Sequence, residues 1–263
     1  LIRELQEIDT VNEYILFAKK GEDGSAVHAG KNLRIETIAS AGYAHWEQVK
    51  LPKAAKKAGV NLLHCTANTA PLQCSVPLII TLHDIIYLEE INFGGSLYQD
   101  AGNLYRRFVV PKLVKNARRI VTVSQYEKKQ ILKRFDFLPD DNVQVIYNAV
   151  SSRFHSQSSV DEIKNVKQLY RLPANFILFF GNTPPKKNSD NVIRAYVEYH
   201  RLSKQVLPIV ITDYDKLQVM KLLTNINASH LIDHFIFSGY MPNHDMPAVL
   251  QAASLFLYPS LRE

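Results

Sequence analysis

The feature that most constrains this chain is a regular alternation of strand-like and helix-like segments. Six short β-rich runs come first: EYILFA (13–18), LRIETIA (33–39), NLLHCT (61–66), LIITLH (78–83), RRIVTVS (118–124) and VQVIYN (143–148). Between them lie helical stretches such as HWEQVKLPKAAKKAG (45–59) and SQYEKKQILKRF (124–135). In the latter, Ser124 followed three residues on by Glu127 has the order of a capping box. Strands that are apolar throughout and alternate with helices require a parallel sheet covered on both faces. After Asn148 the stretch SSRFHSQSSVDEIKN is polar and rich in serine, and reads as a connection. A second series follows: NFILFFG (175–181), a helix from about Ser189 to Ser203, LPIVITD (207–213), HFIFSGY (234–240) and SLFLYPS (254–260).

The fold class expected is α/β: two Rossmann-like, doubly wound parallel-sheet domains, over residues 1–155 and 156–263. The length of 263 residues suffices for two such cores, and 46% apolar with 21% charged residues is ordinary for a globular chain. No run reaches the roughly 18 unbroken apolar residues of a membrane span. The opening LIRELQEIDTVNEY lacks the charged-then-apolar order of a signal peptide, so a cytoplasmic setting is expected. Cys65 and Cys74 fit reduced thiols better than a disulfide framework. The chain begins inside an amphipathic helix and ends directly after a strand, which predicts truncation at both ends and an incomplete second domain.

The net charge of +6 is unevenly placed. Between Leu104 and Arg134 stand Arg106, Arg107, Lys112, Lys115, Arg118, Arg119, Lys128, Lys129, Lys133 and Arg134, against only Glu127. Such a stretch fits an anionic membrane surface, an anionic substrate, or simply a solvated helix face. The aromatic interleaving used to stack bases is not evident, so nucleic acid is not an expected partner.

Ligands of open α/β sheets sit at the carboxyl ends of the strands. Four places qualify. In TLHDII, His83 and Asp84 end a strand; a satisfied structural histidine, a hydrogen bond donated to a substrate oxygen, and a metal ligand are all open readings. In FILFFGNTPPKKN, Gly181 leaves room for a ligand at the backbone, Pro184 and Pro185 stiffen the turn, and Asn188, Ser189 and Asp190 offer caps for the next helix. Lys186 and Lys187 beside that helix start suit an anion, or are merely a solvated edge. Neither GxxxxGK[ST] nor GxGxxG is present. In FIFSGYMPNHDM, Gly239 ends a strand and Tyr240-Met241-Pro242 form a loop able to lie against a flat ring. In YPSLRE, Pro259 and Ser260 end a strand and Glu263 closes the chain.

In this order and spacing, the four places resemble glycosyltransferase family 4, retaining enzymes of GT-B architecture. The resemblance covers essentially the whole chain. TLHDIIYLE resembles the family's strand-end histidine motif, RRIVTVSQYEKKQIL its "vtvS" strand and helix, and VIYNAVSSRF the segment closing its first domain. FFGNTPPKKNSDNVIRAY and FIFSGYMPNHDMPAVLQAASLFLYPSLRE resemble its phosphate loop and its "PSl.EGFG" region. The resemblance implies an acceptor-binding first domain and a donor-binding second domain facing a cleft. His83 matches the histidine near the reacting sugar, and Lys187 the lysine that holds the donor diphosphate. Tyr240 and Met241 match residues beside the base, and Ser260 the serine of the "PS" turn. Glu263 matches the first glutamate of E-x7-E. With Gly181, Asn182 and Lys186 these make up the expected site. The sequence departs from the pattern in several places. Asn182 stands where many members have arginine, Ala149 replaces the "NGV" glycine, and the glycine-rich loop before the first helix is missing. The second glutamate is absent too, so a chain ending at Glu263 is not expected to bind donor normally.

The expected chemistry follows. Leaving of the sugar builds negative charge on the diphosphate, which a fixed cation and a helix N-terminus stabilise in the transition state. That role needs no cofactor and no metal, and His83 would orient the sugar rather than act as principal base. The resemblance implies transfer of a hexose such as mannose or glucose to a glycan or lipid-linked acceptor, for a cell-surface polysaccharide. The setting would be cytoplasmic, peripheral at the inner face of the plasma membrane through Arg106–Arg134. A noncatalytic sugar-nucleotide-binding module or a nucleotide-sugar epimerase is the alternative.

Overall fold

The structure, a computed structural model, describes residues 2–21, 27–89, 97–181 and 187–261. It divides into two compact units, Leu1–Asn148 and Ala149–Glu263. The first contains α1 (Ile2–Ile8), β1 (Tyr14–Lys19), β2 (Leu33–Ile38), α2 (Tyr43–His45), a π-helical stretch (Trp46–Lys50) and α3 (Leu51–Lys57). It continues with β3 (Leu63–Cys65), β4 (Leu78–Leu82), α4 (Leu97–Asn116), β5 (Arg119–Thr122), α5 (Gln125–Arg134) and β6 (Val143–Val145). The expected helix over 45–59 thus contains a π-helical segment. The strands pair in parallel in two groups: β1 with β2, and β3-β4-β5-β6 in chain order. Leu78, Ile80 and Leu82 of β4 pack with Ile120, Val143, Leu51 and Leu113 in one apolar core. Ser124 caps α5, its Oγ accepting from Glu127 N at 3.1 Å.

The second unit contains α6 (Val160–Leu169), β7 (Ile177–Phe180), α7 (Ser189–Leu202), β8 (Ile209–Thr212), α8 (Lys216–Asn225), β9 (Phe235–Gly239), α9 (Met246–Ala252) and β10 (Leu255–Leu257). The period-two alternation of its strands sorts side chains to two faces. Ile177, Phe179, Ile209 and Ile211 meet Val192, Ile193 and Tyr196 of α7 and Val219 and Leu223 of α8. Phe176, Leu178 and Val210 meet Val166 of α6 and Met246 and Val249 of α9. Each fully buried phenylalanine, Phe176 and Phe179, contributes roughly 1.5–3 kcal/mol of burial.

The polar stretch after Asn148 is a connection only in its first half. Ser159 Oγ accepts from Glu162 N at 3.2 Å, and Glu162 Oε2 accepts from Ser159 N at 2.7 Å. That reciprocal capping box starts α6, whose Val166 enters the core.

The order β10-β7-β8-β9 places the site. From β7 the chain moves to β8 and β9 on one side, and β10 returns on the other. The chain thus reverses its direction across the sheet between β7 and β10, and open α/β sheets bind ligands in the crevice at the carboxyl ends of such a pair.

Candidate functional site

Gly181 directly follows β7, and its residue neighbours explain why no larger side chain stands there. A Cβ at this position would lie 2.6 Å from Ile211 Cγ2 and 2.7 Å from Tyr214 Cβ. The space beside the glycine is filled by protein. Ser189, almost wholly buried, donates its hydroxyl to Gly181 O at 3.0 Å and ties the two ends of the loop together. The expected side-chain capping of α7 is not what forms. Asn188 occupies the N-cap in a left-handed conformation (φ 61°) with no side-chain cap bond, its Oδ1 accepting instead from Asn191 Nδ2 at 2.7 Å. The first N–H groups of α7 therefore have no side-chain cap at the N-cap position, the arrangement that suits an anion.

Lys187 reaches from this loop to the end of β10. Its Nζ donates to Tyr258 Oη and lies 4.2 Å from the centre of the Tyr258 ring. Tyr258 in turn meets Phe180 edge-on at 6.5 Å and Phe256 at 5.7 Å, so the lysine rests on an aromatic shelf built by β7 and β10. Tyr258 is a contact the sequence reading missed; its signal was an aromatic residue directly before the Pro-Ser turn. Ser260, in that turn, buries its Oγ with no hydrogen-bond partner among the described residues. A buried hydroxyl without a partner costs stability unless a ligand supplies one.

The loop after β9 separates its two expected contacts. Tyr240 is 71% exposed, whereas Met241 is 4% exposed and packs in the core against Val166 and Phe176. Met241 thus anchors the loop, and of the two only the Tyr240 side chain is exposed. Asn182, Lys186 and Glu263, with Pro184 and Pro185, lie outside the described residues. Beside the crevice, an apolar hollow of about 500 Å³ opens between α7 and β10, lined by Ile177, Val192, Tyr196, Leu255 and Leu257. Its lining suits packing rather than a diphosphate.

His83, in the first unit, follows β4 and is exposed. Its backbone N–H donates to Asn68 Oδ1 at 2.7 Å, and its ring Nε2 lies 2.8 Å from Thr66 O. A carbonyl only accepts, so Nε2 carries a proton and donates it to Thr66 O, which leaves Nδ1 as the ring nitrogen outside that bond. Asp84 Oδ1 accepts from Ile86 N at 3.2 Å, bracing the turn. Among the described residues no group of three His, Cys, Asp or Glu could hold a metal ion.

The basic stretch does not form one uniform face. Arg106 donates to Asn103 Oδ1 at 3.2 Å, Arg119 to Asp141 O at 2.8 Å, and Lys128 pairs with Asp140 at 2.8 Å. An exposed row remains on α4: Leu104, Phe108, Lys112 and Lys115. Lys112 Nζ lies 3.3 Å from the Phe108 ring centre. Among the described residues no helix is long and apolar enough to cross a membrane.

Two parallel α/β units, the second with its switch-point crevice furnished by a glycine, a lysine and a Pro-Ser turn, define the GT-B class of fold. The chain matches the "Glycosyltransferase Family 4" model over residues 7–154 and the "Glycosyl transferases group 1" model over residues 160–263. It belongs to glycosyltransferase family 4. Its relatives include the serotype-specific mannosyltransferase WbdA of Escherichia coli, 29% identical over 60% of this chain and 20% of WbdA. The O-antigen chain mannosyltransferase RfbU of Salmonella typhimurium is 23% identical over 90% of this chain and 59% of RfbU. The chain thus spans a fifth and three-fifths of those proteins' lengths. Among solved structures, Anabaena HepE in complex with UDP-glucose superposes with a TM-score of 0.62 at 17% identity, over 94% of this chain and 74% of HepE.

Proposed function

We propose that the whole protein is a retaining, metal-independent hexosyltransferase. It moves mannose or glucose from a nucleotide-diphosphate sugar to a glycan or lipid-linked acceptor during synthesis of a cell-surface polysaccharide. The observation that carries this reading is Lys187 at the switch point of the second unit, held against Tyr258 beside the start of α7. A cation there meets the charge that grows on a departing diphosphate, as a helix N-terminus does. The names of WbdA and RfbU favour mannose, and the HepE complex shows a related fold accepting UDP-glucose. In this reading His83, its ring held by the Thr66 carbonyl, orients the sugar. The exposed row Leu104, Phe108, Lys112 and Lys115 sets the protein against an anionic membrane on its cytoplasmic side.

The test is calorimetric titration of the full-length protein with GDP-, UDP- and ADP-sugars, followed by a turnover assay with the donor that binds. Binding of one donor class, turnover with retained anomeric configuration, and persistence of both in EDTA are expected. Failure of all three donors to bind would overturn the reading; binding without turnover on any glycan acceptor would replace it with that of a binding module.

A further inference from the structure

A carboxylate is buried in the first unit. Glu47 is 1% exposed, and among the described residues no cation pairs with it. Four neutral donors surround it instead. Tyr43 Oη at 2.9 Å and Thr69 Oγ1 at 2.5 Å donate to Oε1; Tyr105 Oη at 2.6 Å and Gln48 Nε2 at 3.0 Å donate to Oε2. Burying a carboxylate without a counter-ion is costly, and a saturated set of donors is what offsets it. Burial and then Glu47 keep the Tyr105 phenol protonated well beyond its usual range, so it remains a donor. The backbone is altered at the same place: Glu47 lies in the π-helical stretch, a rare geometry that recurs at functional sites.

What this network holds is one loop. Thr69, 5% exposed, gives its hydroxyl to Glu47, and Gln48 clamps the following residues by donating to Ala70 O at 2.9 Å and accepting from Leu72 N at 2.9 Å. The same loop supplies both partners of His83: Thr66 O to the ring and Asn68 Oδ1 to the backbone. Asn68 sits at φ 65°, a conformation that asparagine adopts more readily than most residues but that still needs support from its surroundings.

We propose that Glu47 is a positioning residue for His83, acting through Thr69 on the loop of residues 66–70. Its buried oxygens set the depth of Thr69, Thr69 sets Thr66 and Asn68, and these fix which ring nitrogen of His83 bears the proton and where the other points. The catalytic consequence rests on the proposed contact of His83 with the donor sugar; the structural consequence does not.

The test uses the full-length protein with two readouts. Long-range nitrogen–proton correlation on ¹⁵N-histidine protein reports the tautomer of His83, assigned by its loss in His83→Gln. Steady-state kinetics reports kcat and KM. Thr69→Val, which keeps the volume and removes the hydroxyl, is expected to mix the two tautomers. It should lower kcat about tenfold or more, with KM for the acceptor within about twofold. Thr69→Ser is expected to restore both, and Glu47→Gln to act in the same direction as Thr69→Val. Should Glu47→Gln fail to fold, the Thr69 pair decides. A His83 signature and kcat unchanged in Thr69→Val would overturn the proposal. If the wild type shows no turnover, the functional reading fails by itself, and the tautomer of Thr69→Val still decides this one.

Discussion

The Ser189 hydroxyl donates to the Gly181 carbonyl across 3.0 Å and so fastens together the two ends of the loop that carries Lys187. Both residues are buried. Removing the hydroxyl leaves the carbonyl short of a partner in a place where water does not readily replace it. Ser189→Ala is expected to cost about 1–3 kcal/mol of stability. Because the loop ends are released together, it should also weaken donor binding. Urea unfolding and donor titration on one preparation check both; stability lost with unchanged donor affinity would separate the bond from the site.

Gly181→Ala tests a different property of the same residue. The added methyl would meet Ile211 Cγ2 and Tyr214 Cβ well inside contact distance. Ile211 is fully buried and cannot withdraw, so the loop or the end of β7 must shift. Overpacking of this kind costs about 1–3 kcal/mol. A thermal melt equal to wild type would show that the crevice has more room than the packing allows.

The alternation of apolar runs placed all ten strands among the described residues, because β-branched and aromatic residues mark a strand even where, as in β10, its side chains are half exposed. The strand order was not legible that way. Nothing in β10 itself says that it returns beside β7, yet that return creates the crevice. Lys187 was found through motif order, while Tyr258, which it touches, was not: an aromatic before a turn is common, and its meaning depends on that pairing. Glu47 lies inside the helical stretch 45–59 with no local signal of its own; its donors Thr69 and Tyr105 come from distant parts of the chain. The sequence also hid α6 in a polar stretch, although Ser159-x-x-Glu162 ahead of Ile163 and Val166 is a start signal that composition alone concealed.

That capping box has a pH signature. The Glu162 carboxyl is held below its ordinary value first by the Ser159 backbone N–H and then by the Ser159 side chain. A depressed folded-state value means a contribution present above the unfolded value, near 4.3, and lost as pH falls through the lower folded one. The stability gap between wild type and Glu162→Gln is therefore expected at pH 7 and should shrink below about pH 4. Ser159→Ala should cost about 1 kcal/mol at neutral pH. Unfolding curves across pH 3–7 check both, and a gap that widens in acid would contradict the assignment.

Association with membrane should depend on apolar and basic residues together. Leu104 and Phe108 are 64% and 60% exposed, and Lys112 and Lys115 follow them on the same face of α4. Interfacial helices bind through buried apolar area plus attraction to anionic lipid. Phe108→Ser and the Lys112→Gln/Lys115→Gln pair are each expected to reduce co-sedimentation with vesicles containing anionic lipid. Only the lysine-dependent part should weaken in high salt. Equal sedimentation of both variants and wild type would remove α4 from the membrane contact.

Lys187 allows the sharpest separation of charge from shape. Its ammonium rests on the Tyr258 ring, so part of what holds it is aromatic and part is a hydrogen bond to the phenol. Tyr258→Phe keeps the ring and removes only the hydroxyl; its effect on kcat/KM should stay within about tenfold, the scale of one ordinary hydrogen bond. Lys187→Met keeps most of the stem and removes the charge. If the charge serves the departing diphosphate, kcat should fall about 10²–10³-fold, the scale of losing one group aimed at developing charge. Lys187→Arg keeps the charge but spreads it over a planar fork, so it should recover part of kcat while disturbing the fit on Tyr258. The order wild type, Lys187→Arg, Lys187→Met in kcat, with Tyr258→Phe close to wild type, is the expected result. Lys187→Met with normal kcat and only a raised KM would mean that the lysine binds ground state and transition state alike.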